Sequence, residues 1–324
     1  MSHTILQRYA TRTTTIRIHF KRTILQRGRL IYSSESLSHS LIAHLRRKVC
    51  SSALILVSLV FLGPQLAIAE PSLERGTYLV RGPSGCGNCH TPMGPDGFVN
   101  EMELAGRLVE DLPVFTAIAP NLTPAGPIAA WSDTELARSI REGIRPDGTV
   151  LGPPMPIILY RGLSDDDLMS IVMYLRQLEP VDNDPGTSTY RIELPPAYGP
   201  PVGGVASMPQ GVNVEYGEYL ANAVAHCMEC HTTQGEQGPM FDTHLGAGGL
   251  EFQGPWGRSV ASNITPVGIA QYTDDQLSAM IQQGVRPDGR KMLPPMPYYF
   301  FSNMTDDDVD AVILYLRQLP PKGG

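Results

Sequence analysis

Apolar residues recur at helical spacing in three kinds of stretch, and each kind occurs twice along the chain. The last kind begins at Ser164 or Thr305, continues through three aspartates that suit the first turn of a helix, and then becomes periodically apolar. The apolar positions are Leu168, Ile171, Val172 and Leu175 in one place and Val309, Val312, Ile313 and Leu316 in the other. This pattern predicts a terminal helix with one face in a core.

The other two kinds of stretch carry boundary or packing signals. The middle stretch opens with a capping box and closes with a glycine, which predicts a short helix. Its two forms are Ser132-x-x-Glu135 ending at Gly143 and Thr273-x-x-Gln276 ending at Gly284. The opening stretch, residues 76–80 or 216–224, contains Gly76 or Gly217, and glycine destabilises a helix interior. We therefore expect a close helix crossing at both glycines.

The stretches recur because the chain contains an internal duplication with an offset of 141 residues. The matched motifs are Gly76-Thr-Tyr78-Leu79 with Gly217-Glu-Tyr219-Leu220, Arg145-Pro-Asp-Gly148 with Arg286-Pro-Asp-Gly289, and Pro153-Pro-Met155-Pro156 with Pro294-Pro-Met296-Pro297. Between the first and second stretches the offset slips to 142, which indicates small compensating insertions in a loop. The fold class that follows is mostly α, with two tandem domains.

The predicted domains are residues 70–180 and residues 211–324, each long enough for a core of its own. Residues 181–210 are rich in proline and glycine and are expected to form an extended linker. Residues 1–69 differ in kind, with Arg46-Arg47-Lys48, an apolar run over 49–62 and Ala67-Ile68-Ala69. This pattern predicts an N-terminal extension and a secretory signal that is cleaved after Ala69. Cleavage there would also remove Cys50. The mature protein is thus expected in the periplasm.

Removing this leader makes the chain strongly acidic. The leader holds ten basic residues and one acidic residue, a charge of +9, and subtracting it from −7 leaves −16 for residues 70–324. Such a charge argues against nucleic-acid binding and favours a partner with a positive docking surface.

The remaining four cysteines lie in two copies of Cys-x-x-Cys-His, again 141 residues apart. They are Cys86, Cys89 and His90 in the first copy and Cys227, Cys230 and His231 in the second. A bare Cys-x-x-Cys could be a thioredoxin-like redox pair or half of a zinc site. The adjoining histidine, present twice, instead predicts two covalently attached haems, with the thiols as thioether anchors and the imidazole as an iron ligand.

The duplication also sorts the candidates for the sixth iron ligand. Met155 and Met296 each lie 65 residues after their own histidine, between prolines that would stiffen the loop presenting the thioether. Met292, His226 and His244 have no equivalent in the other copy and remain local possibilities. With histidine and methionine on both irons no site would be open for a substrate, which favours electron transfer over catalysis.

Three further matched pairs have two readings each. Arg145 and Arg286 could bind haem propionates or backbone carbonyls near the methionine loop, or serve only as turn charges. The asparagines of Asn121-Leu-Thr-Pro and Asn263-Ile-Thr-Pro could bind a propionate or cap a turn. Tyr174 and Tyr315 lie at helical spacing and are expected to pack in the core rather than relay electrons.

These motifs together resemble class I c-type cytochromes, in particular diheme chains similar to the cytochrome subunits of periplasmic alcohol and related dehydrogenases. The resemblance spans residues 73–321 and rests on the Gly-x-Tyr-Leu, Cys-x-x-Cys-His, Arg-Pro-Asp-Gly and Pro-Pro-Met-Pro motifs and on the Tyr-Leu-Arg-Gln-Leu ending. It implies two haem c groups, axial His90, Met155, His231 and Met296, and a non-enzymatic carrier. That carrier would take electrons from a dehydrogenase and pass them to a cytochrome or terminal oxidase, and could meet a membrane through a partner.

Two alternatives stay open. One is a diheme redox enzyme of the peroxidase or thiosulfate-oxidising type, which needs an exchangeable ligand on one haem. The other is a haem-based sensor. The resemblance also departs at one point, because the alcohol dehydrogenase cytochrome subunits typically carry a third haem domain and a membrane-associating tail. The identity of the donor dehydrogenase is therefore open.

Overall fold

A computed structural model describes residues 70–236 and 238–323. The expected signal sequence, its cleavage position after Ala69 and Cys50 lie outside the described residues. We refer to residues 70–180 as the first copy, to 181–210 as the linker and to 211–324 as the second copy. These boundaries remain predictions.

The first copy and the linker alternate short helices with short strands. The helices are α1 (Leu73–Arg81), α2 (Gly87–His90), α3 (Asp133–Glu142), α4 (Ile157–Tyr160) and α5 (Asp165–Arg176), with 3₁₀ turns at Asn100–Met102 and Pro127–Ala130. The strands are β1 (Met93–Gly94), β2 (Gly97–Phe98), β3 (Arg107–Leu112), β4 (Phe115–Ala119) and, in the linker, β5 (Thr189–Tyr190).

The second copy repeats this order, with two short α-helices, α8 and α9, where the first copy has 3₁₀ turns. Its helices are α6 (Val214–Tyr219), α7 (Cys227–His231), α8 (Phe241–His244), α9 (Pro266–Ile269), α10 (Asp274–Ser278), α11 (Tyr298–Phe301) and α12 (Asp306–Gln318). Its strands are β6 (Gln234–Gly235), β7 (Gly238–Pro239), β8 (Glu251–Gly254) and β9 (Gly257–Val260). π-helical turns at Leu220–Val224 and Ala279–Gln283 extend α6 and α10, so the predicted opening and middle helices are present but not purely α.

The helix boundaries predicted from capping signals are confirmed. Ser132 Oγ accepts from Glu135 N while the Glu135 carboxylate accepts from Ser132 N, and Thr273 and Gln276 make the same reciprocal pair. The helices end at Gly143 and Gly284, whose φ angles of 70° and 62° are left-handed. Local hydrogen bonding therefore sets these boundaries in both copies.

The close helix crossings at Gly76 and Gly217 are also confirmed. A Cβ at Gly76 would lie 1.9 Å from the carbonyl oxygen of Ser170 on α5, and one at Gly217 would lie 1.9 Å from that of Ala311 on α12. Only glycine lets the opening and closing helices of each copy approach so closely. The predicted apolar stripes of α5 and α12 are buried beside these crossings, as are Tyr174 and Tyr315.

The segment between the haem motif and the middle helix is not the loop that the sequence suggested. Strands β3 and β4 form an antiparallel hairpin in the first copy, and β8 and β9 form one in the second. Strand β5 of the linker adds to the outer side of β4. Strands β3 and β9 have mixed burial and little alternation of apolar and polar residues, so their sequence carries only a weak strand signal.

The linker is extended, as expected, but it lies bound along the first copy. Its Val205 carbonyl accepts from Asp165 N at the start of α5, and Val202 N donates to the Glu142 side chain at the end of α3. Ser188 exchanges two hydrogen bonds with the backbone of Ile118 on β4. The linker is thus part of the packed structure of the first copy.

The two copies meet through reciprocal contacts between equivalent residues. Tyr78 OH donates to Asp308 Oδ2 at 2.5 Å, and its equivalent Tyr219 donates to Asp167 Oδ2 at 2.7 Å. Arg75 contacts Tyr216, the residue that occupies the equivalent position in the second copy. Its Nη2 donates to Tyr216 OH at 3.2 Å. Such exchange of equivalent contacts is the mark of an isologous interface. The described residues accordingly belong to one compact unit.

None of the helices formed by the described residues is both long and apolar enough to span a bilayer.

Candidate functional site

All eight residues predicted to bind haem line one cavity of about 2960 Å³ that runs across both copies. The residues are Cys86, Cys89, His90 and Met155 of the first copy and Cys227, Cys230, His231 and Met296 of the second. Cavities for drug-sized ligands usually measure about 300–1,000 Å³. The cavity is thus large enough for more than one big prosthetic group.

A left-handed residue precedes each cysteine motif and turns the chain into the cavity wall. Gly85 has φ 52° and His226 has φ 40°, and the motif helices α2 and α7 follow directly. A single helical turn places both thiols and the histidine on one short segment. The matched geometry at the two sites comes from the backbone and not from the residue type, since one position is glycine and the other histidine.

Burial keeps the four thiols protonated. It raises the pKa of Cys86, Cys227 and Cys230 to about 12 and that of Cys89 to about 11. Reactive redox cysteines and zinc ligands need the opposite, a lowered pKa that favours the thiolate. Over residues 70–236 and 238–323 there is also no group of three His, Cys, Asp or Glu side chains placed to hold a metal ion. The raised thiol pKa values fit neutral thioether anchors better than a thioredoxin-like redox pair.

Both motif histidines are oriented by the same backbone contact. His90 Nδ1 lies 2.8 Å from the carbonyl oxygen of Pro120, and His231 Nδ1 lies 2.7 Å from that of Ser262. A carbonyl only accepts, so Nδ1 carries the proton and Nε2 is left with its lone pair for an iron. Burial lowers the pKa of His90 to about 4 and lowers that of His231, which keeps both imidazoles neutral.

The two methionine loops are held by different partners. In the first copy, linker residues bind the loop: Tyr190 OH donates to Pro153 O at 2.9 Å, and Tyr198 OH donates to Leu151 O at 2.8 Å. In the second copy, Ser259 Oγ on β9 donates to Pro294 O at 2.7 Å. Each methionine therefore lines the cavity from a loop fixed through its backbone carbonyls.

The paired asparagines hold turns. Asn121 Oδ1 accepts from the backbone and hydroxyl of Thr123, and its amide donates to Val181 O, which ties the turn to the chain after α5. Asn263 makes the equivalent bonds to Thr265 and to Lys322 O. These contacts favour the turn-capping reading over propionate binding.

The paired arginines differ from each other. Arg145 donates from Nη1 to Thr149 Oγ1 and Val150 O, so in the first copy the turn itself uses this guanidinium. Its equivalent Arg286 also lines the cavity, in a turn where Arg290 replaces the threonine. The backbone-carbonyl reading thus fits Arg145.

The three local candidates for an iron ligand occupy different places. His226 bridges the copies: its ring meets Tyr160 edge-on with centroids 5.6 Å apart, and its Nε2 lies 3.4 Å from Ser84 O. His226 of the second copy therefore contacts the first copy directly. His244 Nδ1 lies 2.9 Å from Thr243 Oγ1 outside the cavity lining, whereas Met292 lines the cavity.

Arg107 is a cavity residue that the sequence reasoning missed. Its Nη2 donates to Asn88 O within the first cysteine motif, while its Nε is buried with no partner among the described residues. A buried guanidinium with an orphaned donor fits the carboxylate of a bound group. The equivalent position in the second copy is Gly249, so a search for matched residues could not find Arg107.

Comparison with known proteins agrees with this geometry. Residues 214–320 match the model of the cytochrome c family. The chain is 28% identical over 271 residues to the fructose dehydrogenase cytochrome subunit of Gluconobacter japonicus, covering 78% of this chain and 54% of that protein. It is 28% identical over 281 residues to the alcohol dehydrogenase (quinone) cytochrome c subunit of Gluconobacter oxydans (strain 621H), covering 78% and 56%.

A diheme cytochrome c-type protein of Cereibacter sphaeroides is 26% identical over 253 residues, which cover 73% of this chain and 82% of that protein. The chain spans about half the length of the two dehydrogenase subunits. Its similarity is therefore to cytochrome c proteins and to cytochrome subunits of dehydrogenases, and the match to the cytochrome c family model lies within the second copy.

Proposed function

We propose that this chain is a diheme electron carrier of the periplasm, with one haem c in each copy. The observation that carries the proposal is the pair of oriented histidines beside buried cysteine pairs in one large cavity. The fit of the residues to haem supports it further, because the thiols are neutral, Nε2 of each histidine is available and Arg107 offers an unused donor.

The roles of the residues follow from their chemistry. Each cysteine pair would anchor one porphyrin through two thioethers, Cys86 with Cys89 and Cys227 with Cys230. The porphyrin would then be held covalently. His90 and His231 would each supply an imidazole ligand. Met155 and Met296 would supply the second ligand of each iron from loops already held in place. When bound, each haem supplies a one-electron carrier, and the methionine ligand raises its reduction potential.

The two sites lie close enough to act as one path. Cys89 is near enough to Cys230 to raise the pKa of that thiol. His226 contacts Tyr160 and Ser84 directly across the copies. We infer that an electron received at one copy passes to the other across this contact.

The partners follow from what the related proteins are named for. Their names place cytochrome subunits with fructose and alcohol dehydrogenases. We infer a dehydrogenase as the electron donor and a cytochrome or terminal oxidase as the acceptor. Any contact of this chain with the membrane would then occur through one of these proteins.

The proposal is tested by denaturing mass spectrometry of protein made in the periplasm of a host that attaches haem c. The expected result is a mass increase of two haems that survives denaturation. A Cys227→Ala/Cys230→Ala variant should retain one haem and a Cys86→Ala/Cys89→Ala variant should retain the other. Wild-type protein that carries no covalent haem under these conditions would contradict the proposal.

A further inference from the structure

The two ends of the shared cavity carry opposite charge. In the first copy and linker the cavity is lined by two basic residues, Arg107 and Arg145, and by six acidic ones. The acidic residues are Asp96, Glu110, Asp111, Asp147, Asp182 and Asp184. In the second copy it is lined by four basic residues and by two acidic ones, Glu229 and Glu251. The duplication therefore preserved the ligand motifs but not the surrounding charge.

The four basic residues come from two segments that are joined beside the Met296 loop. Arg258 lies at the start of β9, whereas Arg286, Arg290 and Lys291 flank a turn closed by the bridge between Val285 and Lys291. The hydrogen bond from Ser259 to Pro294 holds the β8–β9 hairpin against the segment that follows this turn. We call the surface formed by these two segments the basic mouth.

Exposed apolar side chains occupy the same two segments. Trp256 at the hairpin tip is 38% exposed, Val260 on β9 is 41% exposed, and Leu293 before the methionine loop is 45% exposed. All three line the cavity together with the four basic residues. Apolar residues set among charged ones are the anatomy of a protein interface, with a desolvated centre and a polar rim.

Local carboxylates cancel half of the charge of the basic mouth. Arg258 pairs with Glu251 and Arg290 pairs with Asp288. Arg286 and Lys291 form no ion pair with any residue that the structure describes. A positive patch on a segment of charge −16 would steer an acidic surface to this one region and repel it from the rest.

We propose that the basic mouth is the docking surface for an acidic protein partner, which exchanges electrons at the second site. This inference rests on the proposed function for the exchange itself, and it differs from what the net charge alone suggests, a partner with a positive docking surface. The carboxylates of such a partner would pair with Lys291, and an apolar centre would cover Trp256 and Leu293.

The test uses poly-L-glutamate as the acidic probe and the full haem-loaded protein in its reduced form. The chain has only two tryptophans, so the indole N–H signals of Trp256 and Trp131 report the basic mouth and the first copy separately in NMR spectra. Poly-L-glutamate should shift the Trp256 signal and leave the Trp131 signal unchanged at low ionic strength. The shift should disappear at about 1 M salt, where the Debye length falls to about 3 Å.

Two charge reversals provide the matched variants. Lys291→Glu should weaken the apparent affinity for poly-L-glutamate about tenfold. Arg138→Glu makes the same change in net charge on the exposed surface of α3 in the first copy and should leave the affinity within about twofold. Both variants should retain two covalent haems by mass spectrometry, which shows that they fold and load normally.

Three outcomes would overturn the inference. They are a Trp256 signal that does not move, equal weakening by both variants, and binding to anionic phospholipid vesicles without binding to poly-L-glutamate. Each can occur in a protein that still carries two haems, in which case the docking surface is wrong and the proposed function stands. Loss of the covalent haems from wild-type protein would instead count against the proposed function.

Discussion

The two copies hold the same predicted ligand set in different enclosures. In the first copy His90 is only 7% exposed, and the Met155 loop is bound by two tyrosines of the linker. In the second copy His231 is less completely buried, and the Met296 loop is held through Ser259 of a short hairpin. Both sites thus lie beside a hairpin, and the first is also bound by the linker.

The difference shows that the two copies share the duplicated motifs but differ in the residues that surround them. Helix caps, glycine crossings and histidine contacts are the same in both copies because they form within a single copy. Access and local charge differ because the linker binds along the first copy and because Arg290 and Lys291 of the second copy replace Thr149 and Val150.

The largest predicted effect is one that the two copies share, the loss of stability when the glycine at a helix crossing is replaced. Gly76→Ala and Gly217→Ala should each destabilise the fold by at least about 3 kcal/mol, because the new Cβ would lie 1.9 Å from a backbone carbonyl of the closing helix. Gly203→Ala is the control, since nothing lies within 4 Å of a Cβ at that linker position. Free energies of unfolding from denaturant titration measure the effect. Tolerance of alanine at either crossing would break the structural equivalence of the copies.

The interface between the copies predicts an asymmetry in stability. Tyr78→Phe should lower the free energy of unfolding by about 2 kcal/mol. The buried carboxylate of Asp308 then loses a hydrogen bond, and it has no arginine partner to replace it. Tyr219→Phe should cost only about 1 kcal/mol, because Arg75 still binds both oxygens of Asp167 at 2.8 and 2.9 Å.

Unfolding free energies of the two single variants and of the wild type give this ordering directly. The double variant measures the coupling between the two carboxylates, which Arg75 and Tyr216 link in one hydrogen-bond network. A larger loss for Tyr219→Phe than for Tyr78→Phe would mean that Arg75 does not stabilise Asp167 in solution.

The methionine loops predict the smallest difference. Ser259→Ala removes the hydrogen bond to Pro294 O and should destabilise the Met296 loop by about 1 kcal/mol. Tyr190→Phe removes the bond to Pro153 O but keeps the ring and the bond from Tyr198 to Leu151 O, so the Met155 loop should lose less. The far-red charge-transfer band of sulfur bound to Fe(III) can be followed in denaturant for each variant. Equal shifts of its midpoint would show that the linker adds nothing to the first loop.

Much of the helical fold could be predicted from the sequence because it depends on local signals. Capping boxes, terminal glycines and apolar periods form within one helix, and the duplication tested each signal twice. Gly76 is the clearest example, since a glycine within a helical pattern that recurs as Gly217 is enough to indicate a close crossing.

The rest depended on contacts between distant parts of the chain. Ser262 and Pro120 serve the histidines through backbone carbonyls, which any residue could supply, so no side chain marks them. Arg107 has no equivalent in the second copy, and the linker tyrosines have none either, so the duplication gave no signal for them. The bridging role of His226 arises only when the copies are packed together.

The most direct test of the account is the far-red band of oxidised wild-type protein, followed through a denaturant titration beside Met155→Ala and Met296→Ala. The account predicts that the wild type loses the band in two steps, that Met296→Ala keeps only the later step, and that Met155→Ala keeps only the earlier one. A band that neither substitution diminishes would contradict methionine ligation, and a single step in the wild type would contradict the difference in enclosure.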